Sequence, residues 1–217
     1  MANANNRQDF DRYYTEDEEK KLFKLIKRTD HILAKRDLAW MQFLRFTGVR
    51  IGILGGKTLK ENGKKVGLVP GITVGEAREA ITTKYLNERA AVTKTGKAKA
   101  TYVSVNAIGA LNDLLKIRRQ MGYPMNMDAP LIMGQKGNGL SVRQYQERFK
   151  HWADLAGVKG SPHWMRHTTA KRIMKNSTAS DPRALAQVQL GHANINSTAV
   201  YTAPDKEDLA FFMEQVS

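Results

Sequence analysis

The apolar positions of this 217-residue chain fall mostly at helical spacing. Thr15-Glu16-Asp17-Glu18 has the form of a capping box, with Thr15 bonding the helix start and Glu18 reaching back. Leu22, Phe23, Leu25 and Ile26 then predict a helix to about Lys27 or beyond. Asp30 to Arg36 shows no clear element start. From Arg36 to Phe46 the pattern changes. Leu38, Trp40, Met41, Phe43, Leu44 and Phe46 cover nearly the whole circumference, which predicts a buried core helix. Thr47-Gly48 stops it, with glycine in the left-handed cap position. Arg50 opens another short helical turn.

Glycines and lysines dominate Gly55 to Gly71, which reads as loop with at most one short strand at Lys65–Val69. Val74–Thr83 has the length of a short helix. The clearest β signal is Arg89–Thr93 and Thr101–Val105 around the basic turn Lys94–Lys99, a hairpin with lysines at its tip. Asn106 caps a helix to about Met121, with Ile108, Leu111 and Leu115 on one face. Pro124–Gly139 is a loop containing a short extended piece, Pro130–Met133. Ser141 to Gln144 forms a second capping box, followed by Val142, Tyr145, Phe149, Trp152 and Ala156 at helical spacing and by the stop Gly157. Ser161-Pro162 and Asp181-Pro182 are two further helix starts, the second helix running to Leu190 before Gly191. Asn196 caps a last turn that carries Tyr201. Leu209, Phe212, Met213 and Val216 predict an amphipathic tail helix over 205–216. No repeat and no Pro/Ser linker divides the chain. The reading is one α+β domain, mainly helical, with a small antiparallel sheet.

Charge narrows the partners. Lys and Arg number 35 against 21 Asp and Glu, a net +14. Such a balance attracts polyanions, nucleic acid before an anionic membrane. No apolar run approaches the ~18–20 residues that span a bilayer. The first residues, MANANNRQDFDR, lack the apolar core of a signal peptide. Cysteine is absent, which excludes disulfides, thiolate nucleophiles and cysteine metal sites. The expectation is a soluble, cytoplasmic protein, associated with the nucleoid when bound to DNA.

Candidate chemistry concentrates in Ser161–Tyr201, which holds His163, His167 and His192, three of the five histidines. His163, Arg166 and His167 share one helix face. The spacing of His163 and His167 suits a metal, but no Glu stands between them as in a HExxH site, so no metal is expected. His167 reads as a packing or hydrogen-bonding support. Lys57, Lys60, Lys64 and Lys65 are either solvated loop charge or phosphate contacts that add salt dependence.

These residues also resemble a family pattern. His163-x-x-Arg166-His167, then Leu190-Gly191-His192, then Tyr201 nine residues on, resembles the C-terminal motif of the tyrosine recombinases, the phage integrase family. Phe46-Thr47-Gly48-Val49-Arg50-Ile51 is similar to the family's segment with its first arginine. Thr93-Lys94-Thr95-Gly96-Lys97, followed by Tyr102-Val103-Ser104-Val105, resembles the hairpin that carries the family's lysine. Gly134–Ser141 resembles the loop before its next helix. The likeness runs in order from about residue 13 to 204. It implies a tyrosine-recombinase catalytic domain over 13–204, a flexible arm at 1–12 and a tail helix at 205–217 that docks on a neighbouring protomer. Two departures stand out. The family often places a helical DNA-binding domain ahead of the catalytic one, where this chain has about a dozen residues. It also tends to place an acidic residue shortly after the first arginine, where this chain has Ile53.

The resemblance further implies site-specific recombination (integration, excision or inversion) by a homotetramer on double-stranded DNA sites, with accessory DNA-binding proteins as possible partners and no cofactor. Tyr201 is then the nucleophile that forms a 3′-phosphotyrosine link and frees a 5′-hydroxyl. A phenol pKa near 10 puts the phenolate on the order of 4 kcal/mol out of reach at neutral pH. The site must therefore supply a base and stabilise developing charge. Arg50 and Arg166 clamp the non-bridging oxygens, a task for a planar fork that stays charged. His163 serves as base or proton carrier, His192 donates to a phosphate oxygen, and Lys94 protonates the departing 5′-oxygen. Lys97 shares the same turn and is the alternative lysine. Lys57, Lys97, Lys99 and Arg143 are the expected DNA contacts. Competing readings are a non-cutting DNA-binding homologue that modulates another recombinase, and a DNA-relaxing enzyme of the type IB topoisomerase kind.

Overall fold

The computed structural model describes residues 12–93, 96–134 and 138–191. Most of the expected N-terminal arm, Lys94, His192, the turn at Asn196, Tyr201 and the tail helix lie outside the described residues. Within them the order is α1 (Glu16–Arg28), α2 (Ile32–Thr47), α3 (Ile51–Gly55), β1 (Lys57–Glu61), β2 (Lys64–Val69), α4 (Val74–Thr83), β3 (Tyr85–Glu88), a 3-10 turn (Ala90–Val92), β4 (Lys99–Tyr102), α5 (Val105–Gln120), α6 (Val142–Ala156), α7 (Pro162–Asn176) and α8 (Pro182–Leu190). The fold is mainly helical, with two antiparallel two-stranded sheets, β1-β2 and β3-β4.

Helix α2 is the centre, packed against α1, α5 and α7. Trp40, Met41, Phe43 and Leu44 are all buried, as the apolar circumference requires. It begins earlier than the apolar pattern suggests. His31 caps it, its Nδ1 accepting from the Leu33 amide at 3.1 Å. The added turns bring Arg36 and Asp37 inside the helix, and both are buried. Asp37 is a hub. One carboxylate oxygen accepts from the Trp40 indole at 3.1 Å and from Arg36, the other from the Trp152 indole at 2.9 Å and from Arg148. A buried carboxylate is tolerable only when its lone pairs are filled in this way. Glu19 on α1 is the second hub, bound to Arg45 of α2 at 2.8 Å and Arg172 of α7 at 2.5 Å.

Both capping boxes expected from sequence form, at Thr15–Glu18 and Ser141–Gln144, and a third forms at Thr73–Glu76. Ser104, two residues before Asn106, caps α5. Gly48 and Gly157 take the left-handed cap conformation. In Gly55–Gly71 the short strand expected at Lys65–Val69 is present as β2, and part of the expected loop before it is strand β1; the two form a hairpin turned at Asn62-Gly63 with φ of 49° and 77°. The second hairpin is also shifted. Its strands are Tyr85–Glu88 and Lys99–Tyr102, and residues 90–92 form a 3-10 turn in place of a strand. The burial alternation of Tyr85–Glu88 turns Leu86 and Glu88 inward. Among the described residues no helix is long and apolar enough to cross a membrane.

Candidate active site

Arg50 ends the chain's turn out of α2. Gly48 makes that turn possible with φ of 68°, and a Cβ there would lie 2.5 Å from Leu190 Cδ2. The absence of a side chain thus lets the end of α8 pack onto the end of α2. Arg50 occupies the N-cap of α3 in extended conformation, half-buried.

Arg166 projects from α7 and is only 2 % exposed. Its guanidinium donates to the Gly48 carbonyl at 2.7 Å and to the Leu190 carbonyl at 2.6 Å. Two neutral carbonyls fix the fork in place and leave its full positive charge uncancelled by them. His163 sits one turn earlier on α7, exposed, with its ring 4.5 Å from that of His167 in an edge-on arrangement. Arg50, His163 and Arg166 line a single open cleft of about 420 Å³, together with Lys57, Glu88 and Thr93. Residues more than a hundred positions apart thereby share one wall.

The expected DNA-contact residues separate. Lys57 lines the cleft and is exposed. Lys97 is exposed on the β3-β4 connection. Arg143 stands at the start of α6, 87 % exposed and paired with Glu147 at 2.8 Å. Lys99, expected as a DNA contact on the hairpin tip, is half-buried in strand β4. Its ammonium lies 3.0 Å from Glu88 and donates to the Gln189 carbonyl at 3.2 Å. Burial pushes the Lys99 pKa down; Glu88 opposes that by attraction, while the charges of Arg166 and Arg50 push it down further.

Glu88, Thr101 and Gln189 escape the sequence reading. The buried Glu88 carboxylate accepts from the Thr101 hydroxyl at 2.6 Å as well as from Lys99. In sequence the signal is the cross-strand pair Glu88↔Lys99, which only the true register of the hairpin reveals. Gln189 spans three elements. Its amide donates to the carbonyls of Thr47 at 2.9 Å and Tyr102 at 3.0 Å and accepts from the Tyr102 amide at 3.2 Å. Gly191 closes this corner with φ of 64°, and a Cβ there would lie 2.5 Å from the Lys99 stem. The result is a concave surface of guanidinium, imidazole and ammonium groups backed by one carboxylate, suited to a tetrahedral oxyanion such as a phosphodiester.

A model described as the phage integrase family matches residues 12–208. The chain belongs to the phage integrase family. Tyrosine recombinase XerC from Shewanella amazonensis is 32% identical over 180 residues, covering 82% of this chain and 52% of the relative. Tyrosine recombinase XerC from Pseudomonas entomophila is 29% identical over 182 residues, covering 83% and 52%. The chain thus spans about half the length of these relatives. Among solved structures, the XerA recombinase superposes with a TM-score of 0.66 at 22% identity, over 94% of this chain and 62% of that one. The Tn1549 transposon integrase, in complex with transposon right end DNA, superposes with a TM-score of 0.64 at 16% identity, over 98% and 68%. At such identities the phage integrase fold is what is shared. In this family member, Arg50, His163 and Arg166 of the motif converge within the described residues, and Lys94, His192 and Tyr201 lie outside them.

Proposed function

We propose that the protein is a tyrosine-type, site-specific DNA recombinase that cuts and rejoins duplex DNA through a 3′-phosphotyrosine intermediate. The observation that carries this reading is the convergence of Arg50, Arg166 and His163 on one cleft within a phage integrase fold. The XerC relatives, which are tyrosine recombinases, and the DNA bound in the Tn1549 integrase structure support it.

In the proposed step the scissile phosphate enters the cleft with its non-bridging oxygens toward Arg50 and Arg166. Arg166 is preorganised by its two carbonyl bonds, so no reorganisation is needed as charge develops. The Tyr201 oxygen attacks phosphorus in line, and its proton passes to a base, His163. The bond from phosphorus to the 5′-oxygen breaks, and that oxygen takes a proton from Lys94 on the hairpin. His192 donates to a phosphate oxygen. One P–O bond replaces another, so the step as written needs no ATP, and the arginines supply the charge that a metal supplies in other phosphoryl transfers. Lys99 stands behind this set, its charged form favoured by Glu88.

Integration, excision or inversion then requires two sites held together by four protomers, in the cytoplasm, on nucleoid DNA. A lambda integrase structure is such a tetramer on a Holliday junction, with a TM-score of 0.56 to this chain. The catalytic unit covers residues 13–204, and the apolar face of 205–216 docks on a neighbouring protomer. A nicked suicide duplex carrying DNA that flanks the gene tests the chemistry. Wild type forms a protein–DNA covalent complex that survives denaturation, and Tyr201→Phe forms none. Absence of the complex with both proteins overturns the reading.

A further inference from the structure

Strands β1 and β2 pair mainly with each other, and no third strand joins them among the described residues. An isolated two-stranded ribbon is at best marginally stable in water. This one is anchored tightly at its base. A Cβ on Gly56 would lie 2.2 Å from the Val69 carbonyl, and one on Gly71 would lie 1.9 Å from the Leu54 carbonyl. Arg89 donates to the carbonyls of Pro70 and Gly71, both at 2.9 Å, and the Ile72 amide donates to the Ile53 carbonyl at 2.7 Å. The base is also the rim of the cleft, since Gly56 and Lys57 line it beside Arg50.

The charge on the ribbon is one-sided. Lys57–Val69 carries four lysines and a single acid, Glu61. Lys60 and Lys65 are direct cross-strand partners, next to an irregularity in the register. Lys57, Thr58, Glu61 and Lys64 are all exposed.

We propose that the β1-β2 ribbon is a DNA-gripping arm, which seats on the duplex beside the scissile phosphate and meets its backbone with the lysines it carries. The proposal rests on the reading of the cleft as a phosphodiester site. A two-stranded ribbon fits the major groove, about 12 Å wide. At ~3.3 Å per residue a ribbon of this length reaches roughly 17–20 Å from the cleft. That is about five base pairs at ~3.4 Å each. The arm thereby enlarges the grip of the catalytic unit.

The test compares the full chain with Lys60→Ala/Lys64→Ala/Lys65→Ala, and with Lys20→Ala/Lys21→Ala/Lys24→Ala on α1 as a control for net charge. All three carry Tyr201→Phe, so that cleavage does not intervene. Anisotropy of a labelled 30-base-pair duplex is followed against salt. With a slope of ~0.9 per phosphate contact, the ribbon variant loses about 2 to 3 from the slope of log K against log salt, and the α1 variant loses little. Hydroxyl-radical footprints of the ribbon variant lose protection about five base pairs from the cleft position and keep it at the cleft. An unchanged slope and footprint, or equal losses in both variants, overturns the arm. If the slope falls as stated while wild type gives no covalent complex on the suicide duplex, the arm stands and the recombinase reading falls. If the tyrosine-linked complex forms and the ribbon variant behaves like its parent, the recombinase stands and the arm falls.

Discussion

The ammonium of Lys99 and the carboxylate of Glu88 lie 3.0 Å apart on facing strands, with side chains 19 % and 2 % exposed. The pair sits behind Arg50 and Arg166. A buried carboxylate there holds a lysine in charged form next to two arginines, at a position where burial and both guanidinium charges favour its neutral form.

Replacing Glu88 with Gln removes the attraction and leaves the repulsion. The Lys99 pKa, already pushed below the ordinary lysine value, falls further, so the ammonium loses its proton at lower pH than in wild type. Covalent-complex formation on the suicide duplex is expected to fall by about ten- to a hundredfold, the equivalent of a charged hydrogen bond of ~1.5–3 kcal/mol. The alkaline limb of its pH profile moves down. A profile with an unmoved alkaline limb would show that the Lys99 charge is not needed.

Arg166→Lys keeps the charge and removes the fork. One ammonium cannot hold both the Gly48 and Leu190 carbonyls and also meet a phosphate. Covalent-complex formation is expected to drop by at least about a hundredfold, with stability lowered by about 1–3 kcal/mol as a buried carbonyl loses its partner. Single-turnover cleavage and urea unfolding read the two effects separately.

Glu19→Gln should lower stability by about 1–3 kcal/mol. The loss stays below the ~3–5 kcal/mol of breaking a fully buried pair, because Arg45 and Arg172 keep part of their side chains in water. The urea midpoint should fall at unchanged slope.

Gly48→Ala combines a left-handed backbone with a Cβ 2.5 Å from Leu190. Strain and overpacking together should cost about 2–4 kcal/mol. Since the same turn presents Arg50, cleavage should fall at temperatures where the variant is still folded, as judged by circular dichroism.

Much of this molecule is legible in its sequence because short-range chemistry marks it. The capping boxes at Thr15 and Ser141 and the stops at Gly48 and Gly157 need no tertiary information, and the structure has each in place. The motif residues Arg50, His163 and Arg166 likewise meet in one cleft. What escaped depends on distant partners. Arg36 and Asp37 carry no mark of burial in the sequence, yet they are buried because Trp152 and Arg148 arrive from α6. Strand β1 carries lysines where strands usually carry β-branched residues, so its composition conceals it, while its partner was legible at Lys65–Val69. Misplacing strand β3 by a few residues was enough to hide Glu88, since the inward face of a strand is set by a period of two.

Gln189 gives the closing corner a mechanical meaning. One side chain grips β4 through Tyr102 and the end of α2 through Thr47, and it lies two residues before Gly191, where the chain departs toward Tyr201. The hairpin, the end of α2 and the end of α8 are therefore cross-linked at one point by a single side-chain amide.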